Sequence, residues 1–408
     1  MGNQLQLGYT TFKQGAYIVI EGKPNSGCFF IIQQGRVRSS KEAIVKGEKE
    51  EMLGPGDFIG VVSTMSSQSH IETALALSDV VLIKVHQQQY IGLIQQSPAV
   101  AIKIIMQFSQ RLRHLNDTLA EITMKTTAEA GPSHLYNVGE YYVRQKQYSQ
   151  AFYAYAKYYK HCPQGEKIPA VKEILAKLAK LTNDTKTDFG SDQINRTYLK
   201  NTLLFAEGEP GDELFIIQRG SVKIAKIVEN NEVVLAILKS GDIFGEMALL
   251  ENKPRLATAM AYEECDVMVV NKSNFELMIS SQPQLVAKVT TLLAERIWLI
   301  YKKLANALML DPVGRIYNTL YTQLEKNRVA LDGSASQASY TFNFGWAELL
   351  ALAGLNKENS SALYSKIEKN PKIQITDTKI HIVSVMEIVR QTDYYRKMDA
   401  RDRLKQKS

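Results

Sequence analysis

A repeated sequence pattern divides most of this chain into two copies of one domain. Residues 29–37 and 214–222 share an apolar run followed by a glycine and a valine, at an offset of 214 − 29 = 185 residues. The same offset relates further pairs: Gly56 with Gly241, Gly60 with Gly245, Pro98 with Pro283, Lys103 with Lys288, and Arg111 with Arg296. Agreement at one spacing over about 80 residues predicts a duplicated domain.

Each copy is predicted to begin with β-strands and to end with a long helix. Short β-type runs, such as residues 17–22 and 203–208, end in glycine turns. Several such runs at regular spacing favour a sandwich or jelly roll. Leucine and isoleucine then recur every three or four residues over 98–122 and 283–309, which predicts helices. The expected fold class is α+β, with two β-jelly-roll domains that each carry a long C-terminal helix.

Composition excludes several classes of protein. The 408 residues are 45% apolar and 22% charged, which is ordinary for a globular protein of two to four domains. Three separated cysteines, six scattered histidines and the lack of a P-loop or nucleophile elbow argue against an enzyme and against a metal site. The net charge of +7 permits nucleic acid as a partner. No signal peptide or apolar run of about 18 residues is present, so a cytoplasmic protein without a membrane span is expected.

Residues 131–181, between the two copies, are predicted to be helical and are rich in tyrosine. Their small and aromatic residues have a spacing that resembles a single tetratricopeptide helix pair, followed by a helix over 168–181. A plain helical hairpin that links the copies explains the pattern equally well. The tyrosines indicate either a packed interface or a contact with a protein partner. A polar, turn-rich linker is expected over residues 182–193.

The C-terminal residues 311–390 have the element order of a winged helix-turn-helix. A helix is followed by a short strand, a helix that ends at Gly354, a second helix over 357–369 and two β-type runs. Winged helix-turn-helix domains with this order place their second helix in the major groove of DNA. Residues 391–408 form a charged tail that is expected to be disordered or loosely helical.

Residues 241–261 contain the groups that a cyclic phosphodiester requires. Gly245 precedes a single carboxylate, Glu246, and a short helix-forming run, and Arg255 follows nine residues later. Free N–H groups at a helix start and an arginine fork bind phosphate oxygens, and a carboxylate accepts from a ribose hydroxyl. The stretch resembles the phosphate-binding cassette of cyclic-nucleotide-binding domains through its Phe-Gly-Glu, Ala-Leu-Leu and Pro-Arg-x-Ala-Thr elements.

The resemblance implies one ligand site per chain, in the second copy, over residues 194–310. It places Glu246 on the ribose 2′-OH and Arg255 on the phosphate. The implied ligand-binding residues are Gly245, Glu246, Met247, Ala248, Arg255, Leu256, Ala257 and Tyr301. Relatives selective for cyclic GMP carry a threonine where this chain has Leu256, so cyclic AMP is favoured. Of the hydroxyl pair that contacts adenine in the bacterial cyclic-AMP receptor, only Tyr301 keeps a hydroxyl, beside Ile300.

The first copy, residues 1–125, lacks both charged contacts. The offset puts Val61 at the position of Glu246, and His70 at that of Arg255. Valine accepts no hydrogen bond, and a neutral histidine offers no bidentate fork. Two losses of about 1.5–3 kcal/mol each weaken binding by several orders of magnitude. The first copy is therefore expected to be a degenerate domain without a cyclic nucleotide of its own.

The Asp-x-x-Gly-Arg-Ile segment at 311–316 and the element order after it resemble the C-terminal domain of the cyclic-AMP receptor (Crp/Fnr-type) family of bacterial transcription regulators. The resemblance implies base contacts from the start of the second helix, where Ala362 replaces a family arginine. The candidate DNA-binding residues are Lys357, Glu358, Asn359 and Lys366. The expected function is cyclic-AMP-responsive transcription regulation. The alternative is a cyclic-nucleotide sensor that acts on protein partners without sequence-specific DNA binding.

Two long helices in one chain leave two forms of pairing open. Receptors of this family pair two subunits through such helices, which predicts a homodimer. The helices over 98–122 and 283–309 could instead pair within one chain, which predicts an intramolecular pseudo-dimer. In that case residues 131–181 would stand where a first winged helix belongs.

Overall fold

The computed structural model describes residues 6–41, 50–124, 131–182, 193–228, 231–245, 254–271, 278–279, 281–331, 338–355 and 360–407. The chain divides into two compact units. The first unit comprises Met1–Tyr90, His114–Thr126 and Ala294–Ser408, and the second comprises Ile91–Arg113 and Thr127–Leu293.

In the described residues, the first copy consists of two four-stranded antiparallel sheets and the helices that follow them. Its strands are β1 (Gly8–Phe12), β2 (Tyr17–Val19), β3 (Cys28–Gln34), β4 (Val37–Ser40), β5 (Glu51–Leu53), β6 (Phe58–Ile59), β7 (Thr73–Ala76) and β8 (Val80–His86). Its helices are α1 (Val61–Ser66), α2 (Tyr90–Gln96) and α3 (Pro98–Met124). The sheet orders are β1–β8–β3–β6 and β2–β7–β4–β5. Alternate side chains of both sheets, including Phe30, Ile32 and Leu82, form one buried cluster.

Residues 131–181, which we call the helical insert, contain α4 (Leu135–Arg144), α5 (Tyr148–His161) and α6 (Ile168–Leu181). A Cβ atom on Gly139 would lie 2.8 Å from the ring of Tyr155, so the glycine is what allows this ring to lie against α4. The core of the insert continues into the second copy, because Leu203, Ala206 and Met260 belong to the same buried cluster. The insert is thus packed onto the second copy within the second unit.

The second copy repeats the strand topology of the first. Its elements are β9 (Asn195–Tyr198), β10 (Leu203–Phe205), β11 (Glu213–Arg219), β12 (Ser221–Val228), β13 (Asn231–Lys239), β14 (Ile243–Phe244), β15 (Thr258–Ala261), β16 (Cys265–Asn271) and the long helix α7 (Pro283–Ala307). The sheet orders are β9–β16–β11–β14 and β10–β15–β12–β13. Replacing each strand by its counterpart eight positions earlier reproduces both sheets of the first copy.

The tight turns of the two copies also coincide. Gly35 and Gly220 have φ values of +98° and +81°. A Cβ atom on Gly35 would lie 2.5 Å from the carbonyl oxygen of Asp79, and one on Gly220 would lie 2.1 Å from that of Glu264. Both the left-handed backbone and the close carbonyl require glycine, which explains why the repeated pattern contains this residue in both copies.

Residues 311–407, which we call the C-terminal module, follow directly after α7. The module contains α8 (Pro312–Lys326), β17 (Tyr340–Phe342), α9 (Trp346–Leu352), α10 (Ser360–Glu368), β18 (Ile373–Ile375), β19 (Ile380–Ile382) and α11 (Val385–Lys407). The strands form one sheet in the order β17–β19–β18. Asp311 caps α8 by accepting from the N–H groups of Val313 and Gly314. Of the two conformations expected for the charged tail, the structure has the helical one, since α11 runs through residue 390 without a break.

The C-terminal module contacts the first copy within the first unit. The hydroxyl of Ser69, in the first copy, donates to Glu325 of α8 at 2.7 Å. The hydroxyl of Tyr301, on α7, donates to Glu21 of the first copy at 2.7 Å. Lys302, also on α7, forms an ion pair with Glu325 at 2.9 Å. The module after the second copy therefore packs on the first copy, just as the insert after the first copy packs on the second.

Among the described residues, no single helix is long and apolar enough to cross a membrane. One sharply bent helix pair, Gln87–Gln96 with Pro98–Leu119, reaches that length and composition, as core helices of soluble proteins also do. In the same part of the chain, no three His, Cys, Asp or Glu side chains are grouped in a way that could hold a metal ion.

Candidate phosphate-binding site

The candidate site begins where β14 ends. Gly245 follows this strand with a φ of +77°, and a Cβ atom there would lie 2.7 Å from Nη1 of Arg255 and 3.1 Å from the carbonyl oxygen of Glu213. The glycine therefore leaves room for the guanidinium group as well as permitting the left-handed backbone. The site residues Glu246, Met247 and Ala248 fall in 246–253, outside the described residues.

Arg255 is held firmly in a buried cradle and is only 5% exposed. Its Nη1 donates to the carbonyl oxygens of Glu213 and Gly245, each at 2.7 Å. The guanidinium carbon lies 4.2 Å from the ring centre of Phe205, a cation–π contact. A Cβ atom on Gly211 would approach the guanidinium to 2.7 Å, so a second glycine completes the cradle. The guanidinium is thus pre-oriented, which reduces the entropic cost of binding an anion.

The main chain of Arg255 is fixed by the loop that follows β10. Its N–H donates to the carbonyl oxygen of Glu209, and its own carbonyl accepts from the N–H of Gly208, both at 2.9 Å. Leu256 and Ala257 follow in a half-buried bend and lead into β15, all of which is buried. Gly245, Arg255, Leu256 and Ala257 thus lie together in the second unit.

Tyr301 lies in the first unit, on α7. Its side chain is 2% exposed, and its hydroxyl donates to Oε1 of Glu21 at 2.7 Å. Ile300, its neighbour, is also buried. The resemblance to the cyclic-AMP receptor offered no signal for a bond to Glu21, because the two residues are 280 positions apart.

The first copy has the same local backbone as the candidate site but different side chains. Gly60 has a φ of +76°, and His70 pairs with Lys23 and Gly22 as Arg255 pairs with Glu209 and Gly208. His70 therefore stands at the structural position of Arg255. Burial lowers the pKa of His70, against the opposing effect of Glu72, so the ring is neutral near pH 7. Val61 follows Gly60 and is buried at the start of α1.

Sequence reasoning missed three residues behind the arginine. Glu209 is 6% exposed, and its carboxylate accepts from Lys157 Nζ at 2.7 Å and from the Tyr153 hydroxyl at 3.0 Å. Burial and the Glu209 carboxylate raise the pKa of Tyr153 well above its usual range, so its hydroxyl stays protonated and donates. The only sequence signal was the Glu-Gly-Glu loop at 207–209, which in isolation is typical of a solvated turn.

The candidate DNA-binding residues are described only in part. Lys357, Glu358 and Asn359 fall in 356–359, outside the described residues. Lys366 is exposed on α10, whose opposite face buries Leu363 and Ile367 in the core of the C-terminal module. The exposed lysine is thus compatible with a contact to phosphate.

Comparisons with known proteins show similarity to cyclic nucleotide-binding domains and to CRP-like regulators. The family model of the cyclic nucleotide-binding domain matches residues 9–97 and 195–282, which confirms the prediction of two such domains. The chain is 30% identical over 156 residues to a CRP-like cAMP-activated global transcriptional regulator of Mycobacterium tuberculosis, covering 38% of this chain and 68% of that protein. It is 31% identical over 125 residues to the cAMP-activated global transcriptional regulator CRP of Salmonella typhimurium, covering 30% of this chain and 60% of that protein.

A solved structure with partial similarity is the c-di-GMP-responsive global regulator CLP of Xanthomonas campestris. It has 21% sequence identity and a TM-score of 0.33, and the match covers 47% of this chain and 93% of that one. These two curated relatives are thus matched over 68% and 60% of their own length, by 38% and 30% of this chain.

Proposed function

Because the chain belongs to the CRP-like family of regulators with cyclic nucleotide-binding domains, we propose that it is a transcription regulator that senses cyclic AMP in its second copy. The single observation that carries the ligand site is the buried, pre-oriented guanidinium of Arg255 behind Gly245. The guanidinium is fixed beside the left-handed turn at Gly245, and an arginine fork in such a position can donate charge-assisted hydrogen bonds to a phosphate.

In this proposal the second copy is the one working site. Arg255 binds the phosphate, Glu246 accepts from the ribose 2′-OH, and the amides of Met247, Ala248, Leu256 and Ala257 surround the phosphate oxygens. The first copy takes no cyclic nucleotide, since Val61 and His70 stand in the two charged positions.

The C-terminal module would act as a winged helix-turn-helix that binds DNA. Its element order and its three-stranded sheet support this assignment. Lys357, Glu358 and Asn359 would reach base edges, and the exposed Lys366 would contact a phosphate. The observation that favours action on a protein partner instead is Ala362, which is exposed where the family has a base-reading arginine.

We propose an intramolecular pseudo-dimer in preference to a homodimer. The packing that supports it is reciprocal: the helical insert packs on the second copy, and the C-terminal module packs on the first. Light scattering on the full chain should give the mass of a monomer. A tight dimer that is broken by substitutions in α7 would contradict this form.

Titration calorimetry of the full chain with cyclic AMP tests the ligand site. Removing a bidentate, charge-assisted contact by Arg255→Ala should weaken binding about 100-fold or more. Arg255→Lys keeps the charge but loses the planar fork, so its affinity for cyclic AMP should lie between those of the wild type and Arg255→Ala. Arg219→Ala is the matched control, because Arg219 is exposed on the same copy and pairs with Asp266 and Glu264. Equal affinities of the wild type and Arg255→Ala would refute the site.

The same titration with cyclic GMP and a cyclic dinucleotide measures ligand preference, and cyclic AMP should bind most tightly. A gel shift with and without cyclic AMP then tests DNA binding. Lys366→Ala should weaken binding uniformly across sequences and reduce the salt dependence by about one phosphate contact. Normal cyclic-AMP binding without a ligand-dependent shift on any DNA would favour the protein-partner alternative.

A further inference from the structure

The loop after β10 joins the candidate ligand site to the helical insert. Glu209, in this loop, holds the N–H of Arg255 with its main-chain oxygen. Its side chain faces the other way and accepts from three donors: the N–H of Ala206 at 3.0 Å, Nζ of Lys157 at 2.7 Å and the hydroxyl of Tyr153 at 3.0 Å. One residue therefore contacts both the site arginine and α5 of the insert.

The insert is rigidly attached at this point. Lys157 is 9% exposed, so its ion pair with Glu209 is screened little by solvent. The Tyr153 hydroxyl also lies 3.2 Å from the carbonyl oxygen of Leu204, next to the Phe205 ring that supports the guanidinium. Apolar residues of α5 share one buried cluster with β10 and β15. Helix, loop and arginine cradle thus form one packed body, and a shift of α5 would move the cradle.

The first copy provides an internal comparison. Its loop makes the same two main-chain bonds to His70, but Lys23 stands where the second copy has Glu209, and this lysine is exposed. The copy with the arginine has the buried carboxylate, and the copy without the arginine has a solvent-exposed lysine. The two copies therefore differ at this loop position together with their difference at the arginine position.

We infer that Lys157 and Tyr153 of the helical insert are positioning residues for the ligand site of the second copy, acting through Glu209 on Arg255. This inference rests on the proposed function. It makes the insert a part of the nucleotide sensor, not merely a linker between the copies.

Calorimetry with cyclic AMP on the full chain tests this role. Lys157→Met leaves the Glu209 carboxylate buried without its cation, so the loop should shift and the dissociation constant should rise about 10-fold or more. Lys157→Arg restores a cation and should recover most of the affinity. Tyr153→Phe removes one donor and should cost about threefold to tenfold. Lys160→Met is the control, since Lys160 is exposed on the same helix.

Thermal stability and the binding pattern of the variants distinguish a positioning role from a purely structural role, and failure of the inference from failure of the proposed function. Thermal unfolding of each variant is followed without ligand. A lowered melting temperature for Lys157→Met with a wild-type dissociation constant would overturn the inference and leave a structural ion pair. If the wild type binds cyclic AMP and Arg255→Ala does not, while Lys157→Met and Tyr153→Phe bind normally, the inference alone fails. If the wild type does not bind cyclic AMP, the proposed function fails.

Discussion

Substitution of Lys302 by methionine should strongly destabilise the first unit. Lys302 and Glu325 form a 2.9 Å ion pair, and their side chains are only 10% and 8% exposed. The Ser69 hydroxyl donates to the same carboxylate at 2.7 Å, so the pair also joins the first copy to the C-terminal module. Removing one partner of a buried ion pair leaves an uncompensated charge, which typically costs about 3–5 kcal/mol.

Intrinsic tryptophan fluorescence is a suitable assay. The two tryptophans of the chain, Trp298 and Trp346, both lie in the first unit, so their emission during urea unfolding reports on that unit. With an m-value of about 2 kcal/mol per molar urea, Lys302→Met should lower the unfolding midpoint by about 1.5–2.5 M. Glu325→Gln should also lower it, because the lysine then stays buried without its counterion.

The double substitution distinguishes the ion pair from simple packing. Lys302→Met with Glu325→Gln leaves no buried charge, so the chain should recover most of the lost free energy of unfolding. A midpoint for Lys302→Met within 0.3 M of the wild type (about 0.6 kcal/mol) would refute the reasoning. So would a double variant whose destabilisation equals the sum of the two single ones.

Three further predictions follow from local geometry. Gly245→Ala places a Cβ atom 2.7 Å from the site arginine and should weaken cyclic-AMP binding in calorimetry. Gly60→Ala introduces the same backbone strain in the first copy and should leave the affinity unchanged. Equal effects of the two substitutions would contradict the role of Gly245 in making room for Arg255. Gly139→Ala forces a methyl group against the Tyr155 ring at 2.8 Å and should destabilise the second unit by about 1–3 kcal/mol, measured by circular dichroism; an unchanged melting temperature would contradict this packing. Because burial lowers the pKa of His70 in the folded chain, the unfolded chain takes up its proton first, and the tryptophan-detected stability should fall as the pH drops below about 6.5. His70→Gln should make the stability depend less on pH. An unchanged slope of stability against pH in this variant would refute the assignment of the effect to His70.

Much of the fold was predictable because it depends on local patterns. Strands β4 and β7 of the first copy alternate between buried and half-buried side chains, and in both copies glycines mark the turns where the backbone is left-handed. Matching residues recur at an offset of 185, which predicted the same fold for both copies, and the sheets of the two copies have the same strand order. The conformation of the tail after residue 390 was open in the sequence, because its charged composition suits a disordered segment as well as a helix.

The residues of the candidate site that would face the phosphate were predictable from the sequence, but the buried residues that hold Arg255 in place were not. Gly245 and Arg255 were identified because a phosphate site needs those residue types at that spacing. Glu209 was missed because an acidic residue in a glycine turn is normally solvated. Its burial depends on a helix more than 45 residues earlier in the chain, which supplies Lys157 and Tyr153.

The amino-acid sequence by itself determined that this chain has two related domains, that only the second has the charged groups for a cyclic phosphate, and that a helical insert and a mixed C-terminal module accompany them. Only the tertiary structure decided which module packs on which copy. Tyr301 bonds to Glu21 and Ser69 to Glu325 across separations of 280 and 256 residues. Local periodicity determines which face of a helix or strand is buried. It does not determine which module covers that face, because arrangements with the same local pattern differ only in a few long-range contacts.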